Sequence, residues 1–167
     1  MRKLLVISIS LLSFGSCRQT TSEEYTQSAD SKFKTKDYKG AIEDYNKVIE
    51  SNSNNIDAFI NRGISKEKTK DYEGSIQDFT RVIKLEPKNV QGYLNRGLSK
   101  TELRDYKNAI QDLDKVIELN PKFAIAYYGR GYNKYKLEDK EGACLDWQKA
   151  LELGDVGAQN TIDKYCK

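Results

Sequence analysis

The 167-residue chain contains no histidine, so the usual general base near neutral pH, the usual partner of a serine or cysteine nucleophile and the commonest metal ligand are all missing. What is left for chemistry is carboxylate, thiol and guanidinium. Glu67 and Glu102 are the acids that could serve as an acid–base pair on a cell-wall glycan. Glutamate is common on solubilising faces, however, and no paired acids are forced into an apolar pocket, so the chain does not read as an enzyme. Two cysteines, those left once Cys17 is set aside, make a poor zinc set without histidine, and neither a metal nor a cofactor is assigned. If Cys17 is otherwise used, Cys144 and Cys166 remain as an even pair. They could bridge in an oxidising compartment or persist as two small buried thiols. The net charge of +3 includes Arg2 and Lys3, and the remaining Lys and Glu are interspersed, which is no footprint for nucleic acid.

Repetition is the strongest signal, and it dictates the elements that must hold these groups. The stretch NRGISKEKTKDYEGSIQDF from Asn61 returns thirty-four residues later as NRGLSKTELRDYKNAIQDL. Rows of that length run 22–55, 56–89, 90–123 and 124–157 without a gap. Each opens a helix with an aromatic residue (Tyr25, Phe59, Tyr93, Tyr127) and places a small residue four positions on (Ala29, Gly63, Gly97, Gly131). An Asp-bearing turn follows, then Ala41, Ser75, Ala109 and Ala143. A second apolar face carries Tyr45, Phe79, Leu113 and Trp147. Each row therefore spells two amphipathic helices and a short turn.

The period, the small residues, the aromatic positions and the row-ending Pro87 and Pro121 together resemble the tetratricopeptide repeat (TPR) family. The resemblance implies an all-α, right-handed α-solenoid of four helix-turn-helix repeats with a C-terminal capping helix at 158–167. That helix is expected to be capped by Asp155 and to show Ala158, Ile162 and Tyr165 on one face. Chaperone-binding members grip a terminal carboxylate with a clamp of Lys, Asn and Arg. Asn61 matches one such place, but Thr26, Asp30, Gln91 and Asn95 stand at the others, so the clamp is mostly absent.

Gly costs about 0.5–1 kcal/mol in a helix interior. Its recurrence at Gly63, Gly97 and Gly131 predicts close helix approach, against Ser75, Ala109 and Ala143. The neighbouring arginines need carboxylates if they lie at an interface. Pairing across repeat junctions matches all four acids with a cation: Asp44 with Arg62, Asp78 with Arg96, Asp112 with Arg130 and Asp146 with Lys164. This predicts an inter-repeat ladder, the alternative being arginines that extend their heads into water.

Function in a solenoid is read from the inner face of the first helix of each pair. The expected groove residues are Phe33, Ile60, Asn61, Ile64, Leu94, Leu98, Tyr128, Tyr132 and Tyr135. They would suit an extended peptide or an amphipathic helix of a partner protein, unless some pack between helices instead. Self-association into a homo-oligomer with a structural role is the alternative use of the same face.

Residues 1–16 have two cations, an apolar run from Leu4 to Leu12 and small residues before Cys17, the layout of a secretory signal too short to span a bilayer. SFGS before Cys17 resembles a bacterial lipobox, with Phe14 and Gly15 departing from its usual residues; a plain secretory signal is the other reading. The resemblance implies lipidation of Cys17, a short tether over 17–22, and a lipid-anchored scaffold at the outer membrane of a Gram-negative bacterium, facing the periplasm or the cell surface.

Overall fold

Ala41, Tyr45 and Val48 stand four and three apart, so one side of a 3.6-residue turn carries all of them, and the same spacing returns in every repeat. In the computed structural model, which describes residues 21–167, this periodicity produces nine helices and no strand among the described residues. They are α1 (Ser22–Lys34), α2 (Tyr38–Ser51), α3 (Ile56–Lys68), α4 (Tyr72–Leu85), α5 (Val90–Glu102), α6 (Tyr106–Leu119), α7 (Ala124–Lys136), α8 (Lys140–Glu152) and α9 (Ala158–Tyr165). The expected signal segment and Cys17 lie outside the described residues.

Consecutive helices form four hairpins, each hairpin stacks on the next, and α9 closes the series against α8. Successive odd-numbered helices also touch one another from α1 to α7, whereas the even-numbered helices make no contact of that extent. The odd helices therefore line the inside of a curved helical solenoid. Between hairpins the burial is complete: Phe79, Val82, Leu113 and Val116 are 0% exposed. Each such side chain contributes about 1.5–3 kcal/mol of hydrophobic stabilisation.

Local chemistry sets the helix ends. Asp37, Asp71 and Asp139 cap α2, α4 and α8 by accepting from the backbone N–H of Gly40, Gly74 and Gly142 at 2.9–3.1 Å. The Asp71 carboxylate lies where a Cβ at Gly74 would be, so glycine lets it draw in close over the helix end. Asn108 takes that place in α6; there Asp105 makes no backbone cap and accepts two bonds from the Asn108 amide instead. The turn inside each hairpin passes through a left-handed residue, Lys36, Lys70, Arg104 or Glu138, with φ of 60–68°. Asn55 and Asn89 cap α3 and α5 through the N–H of Ala58 and Gly92.

Three sequence expectations are corrected here. The arginines pair inside their own hairpin, not across the junction. Arg62 holds Asp78, Arg96 holds Asp112 and Arg130 holds Asp146, each through Nε and Nη2 to both carboxylate oxygens. The reason is geometric: sixteen residues carry the chain up one helix, round the turn and back to the same height on its partner. In the first hairpin, where the arginine position is Ser28, the Ser28 hydroxyl donates to Asp44 at 2.6 Å and Lys32 supplies the cation. Lys164 lies over the Tyr165 ring, and no ion pair joins it to Asp146. The arginines still bridge repeats, but with their third nitrogen and to other residues. Nη1 donates to Asn46, Thr80 and Asp114 of the preceding hairpin at 2.7, 3.3 and 2.7 Å.

The second correction concerns the glycines. A side chain at Gly131 would strike the Trp147 indole and the Ala143 carbonyl at 2.8 and 3.0 Å, and one at Gly63 the Phe79 ring at 2.9 Å. Close approach holds, but the partner at Gly63 is the ring one turn beyond Ser75. The third is α9, whose N-cap is Gly157; Asp155 instead accepts from the Gly157 N–H within the preceding turn.

Candidate functional site

The inner face is built one helix at a time, and its character changes along the stack. At the α1–α3 end a hollow of about 280 Å³ is lined by Thr26, Asp30, Tyr45, Asn55, Asp57 and Asn61. The Tyr45 hydroxyl donates to Asp30 at 2.6 Å; burial and this carboxylate push the phenol above its ordinary range. This end is polar and acidic.

The middle combines aliphatic and acidic groups. Glu67, Tyr72, Leu98, Thr101 and Glu102 surround a hollow of about 270 Å³. Burial pushes the Glu67 carboxyl up, and a hydrogen bond donated by Ser99 opposes the shift. Because Ser99 donates to Glu67, Ser75 donates to Ser99 at 3.0 Å, which links α4, α5 and α3 in one buried chain. The next repeat has the equivalent link, Thr101 donating to the buried Asn133 at 2.9 Å. The two glutamates thus face one hollow, but Glu67 is occupied in holding successive odd helices together.

At the α7 end the face is aromatic and cationic. A cleft of about 340 Å³ opens between α7 and α9, with Tyr132, Lys136, Lys164 and Tyr165 around it. Tyr135 and Trp147 stand behind, their rings 4.8 and 6.0 Å from Tyr165. The larger hollow of about 770 Å³ at Leu85–Gln91 is an open depression along the α4–α5 connection and is no part of the inner face.

Not every expected groove residue reaches that face. Leu98 and Tyr132 are 36% and 40% exposed. Leu94 is partly buried against Leu113 and Val116, and Asn61 borders the acidic hollow. Ile60, at 8% exposure, packs with Phe59 and Val82, and Ile64 packs against the same cluster. Phe33 lies against the first core cluster with its ring edge-on to Tyr38 at 5.7 Å. Tyr128 shares a hydrogen bond with Thr161 at 3.1 Å, and Tyr135 stacks under the capping helix. The burying partner is in each case a second helix, α2 for Phe33, α4 for Ile60 and Ile64 and α6 for Leu94, while α9 covers the last tyrosines.

Sequence reasoning missed the lysines three residues beyond the small residues Ala29, Gly63, Gly97 and Gly131. Lys32, Lys66, Lys100 and Lys134 bind Asp44, Asp78, Asp112 and Asp146 at 2.6–2.9 Å. Their thirty-four-residue recurrence was the signal. Ile125, 54% exposed at the start of α7, and Lys136, Lys164 and Tyr165 of the cleft were missed as well. Only folding brings the last two to the groove. Of the two states left open for the remaining thiols, the structure has Cys144 and Cys166 joined in a disulfide.

Comparison with known proteins agrees with this geometry. Profiles described as tetratricopeptide repeat match residues 25–55, 56–89 and 90–123. No curated protein matches by sequence. Among solved structures, the crystal structure of MamA superposes with a TM-score of 0.78 at 23% identity, over 82% of this chain and 76% of that one. YrrB, described as a TPR protein with an unusual peptide-binding site, gives 0.80 at 19% identity over 87% and 75%. The first TPR of Spaghetti, solved with the HSP90 peptide SRMEEVD, gives 0.64 at 25% identity over 66% and 90%.

Proposed function

The chain belongs to the tetratricopeptide repeat family, whose members are protein-interaction scaffolds, and from this premise we propose that its inner face receives an extended segment or amphipathic helix of a partner protein. The observation that carries the reading is the pair of exposed apolar side chains Leu98 and Tyr132, bordering adjoining hollows on helices held in place by the packing behind them. Such a face binds without first ordering itself, which removes a cost that flexible surfaces bear. Peptide recognition by Spaghetti and YrrB supplies the precedent. Nothing among the described residues points to catalysis, and no group of three or more Cys, Asp or Glu there could hold a metal ion.

We place this scaffold outside the inner membrane, held by a lipid on Cys17. The layout of residues 1–17 supports the export, and the disulfide suits an oxidising compartment. None of the described helices is long and apolar enough to cross a membrane, so retention would depend on the acyl chains.

The test is capture from solubilised membranes by the wild type and by a Leu98→Glu, Tyr132→Glu form. Each residue is more than a third exposed, so a loss of about 1 kcal/mol per site leaves the stack folded, which circular dichroism checks. Loss of at least about tenfold in captured partner is expected, since 1.4 kcal/mol suffices for that. Equal capture by both forms would refute the assignment of this face.

A further inference from the structure

Resting on the reading of the inner face as a protein-binding surface, we propose that the α7–α9 cleft recognises an internal aspartate or glutamate of an acidic partner segment. The carboxylate sits between Lys136 and Lys164, and an adjoining apolar side chain lies on Tyr132 and Tyr165.

The first ground is charge. No acidic side chain lines this cleft, while two ammonium groups do. Elsewhere in the stack the lysines turned toward the hairpin interface are neutralised by aspartates. Lys136 and Lys164 have no carboxylate within ion-pair distance among the described residues. Each rests over a ring, 5.2 Å from the Tyr132 centroid and 4.9 Å from that of Tyr165. A ring face orients a cation without cancelling its charge, so both remain available to an anion. Asp163 of α9 is held by Gln159 and does not border the cleft.

Shape supplies the second ground. Tyr132 and Tyr165 are 40% and 36% exposed, and Trp147 behind them is 1% exposed. The walls are tied by the Tyr128–Thr161 hydrogen bond and by the disulfide at Cys166, next to Tyr165. The site is therefore ordered before anything binds.

The third ground is register. Glu102 borders the adjoining hollow together with Lys136, and Glu67 lies beyond it. A second acidic residue placed toward α3 would meet these carboxylates, so the acidic part of the segment is confined to the α7–α9 end. Recognition of a side-chain carboxylate also leaves the partner free to continue past the cleft.

The probe is a fluorescein-labelled peptide carrying one Glu-Leu pair within an otherwise neutral polar sequence, blocked at both ends, titrated into the full oxidised chain and followed by anisotropy. Its counterpart with glutamine replacing glutamate is the control. The glutamate peptide should bind, more weakly as salt rises, and Lys136→Gln with Lys164→Gln should lower its affinity about five- to tenfold. Lys88→Gln, far from the cleft, should leave it unchanged. The proposal is overturned if the wild type does not bind the glutamate peptide, if the glutamine peptide binds equally well, or if the double variant matches the wild type. Should that happen while Leu98→Glu alone, outside the cleft, still lowers capture, the cleft alone is refuted. If capture ignores Leu98→Glu while the probe behaves as expected, the cleft stands and the wider face falls.

Discussion

Each aspartate of the second helices is a small hub. Asp112 is 4% exposed, receives Arg96 through both oxygens and Lys100 through one, and Arg96 also reaches Thr80 of the preceding hairpin. Its ring neighbour Tyr93 adds a cation–π contact at 5.6 Å. Replacing Arg96 with Met should cost about 2–4 kcal/mol, because one buried carboxylate loses its bidentate partner while Lys100 only partly compensates. Urea unfolding would measure this, and adding Asp112→Leu should recover part of the loss. No loss on Arg96→Met would mean the hub is ornamental. The recurrence of arginine and aspartate was legible in the sequence, but the choice of partner was not. The turn length sets it, and a rule that matched every acid with a cation pointed to the wrong junction.

At the scale of the element, α9 is the most dependent part of the fold. It has eight residues, of which only Ala158 is buried, and isolated helices under about 12–15 residues are marginal in water. Its stability comes from packing on Tyr135 and Trp147 and from the disulfide, which spans a separation of 22 residues. A loop of that size is worth about 3 kcal/mol in the chain-entropy description. Reduction, or Cys166→Ser, should lower stability by roughly that amount and should accelerate amide exchange in α9 before α1–α6. Uniform acceleration along the chain would show that α9 is not a separate unit. The existence of this helix was legible from the apolar spacing of Ala158 and Ile162. Its cap was misread, because Asp155 takes up the turn before the helix begins.

As a whole molecule the stack is a sum of neighbours, each hairpin touching the next and the odd helices defining the inside of the curve. A partner-binding role at a membrane would use this shape with an anchor at its N-terminal end. Cys17→Ser should shift the chain from the membrane to the soluble fraction and abolish labelling by a fatty acid. The fold of residues 21–167 should be unaffected, as judged by circular dichroism. Retention at the membrane after this substitution would remove the lipid from the proposal.

The pairing of helices within residues 21–167 and the identity of the buried faces follow from the sequence alone, because periodicity acts over a few residues and each repeat restates it. Which side chains remain open to a partner was decided by tertiary structure. Ile64 and Tyr132 stand at the same place of their repeats, yet one is packed against a core cluster and the other is 40% exposed. That difference depends on how near the adjacent helices come, a distance set by packing between repeats and by the pinned position of α9.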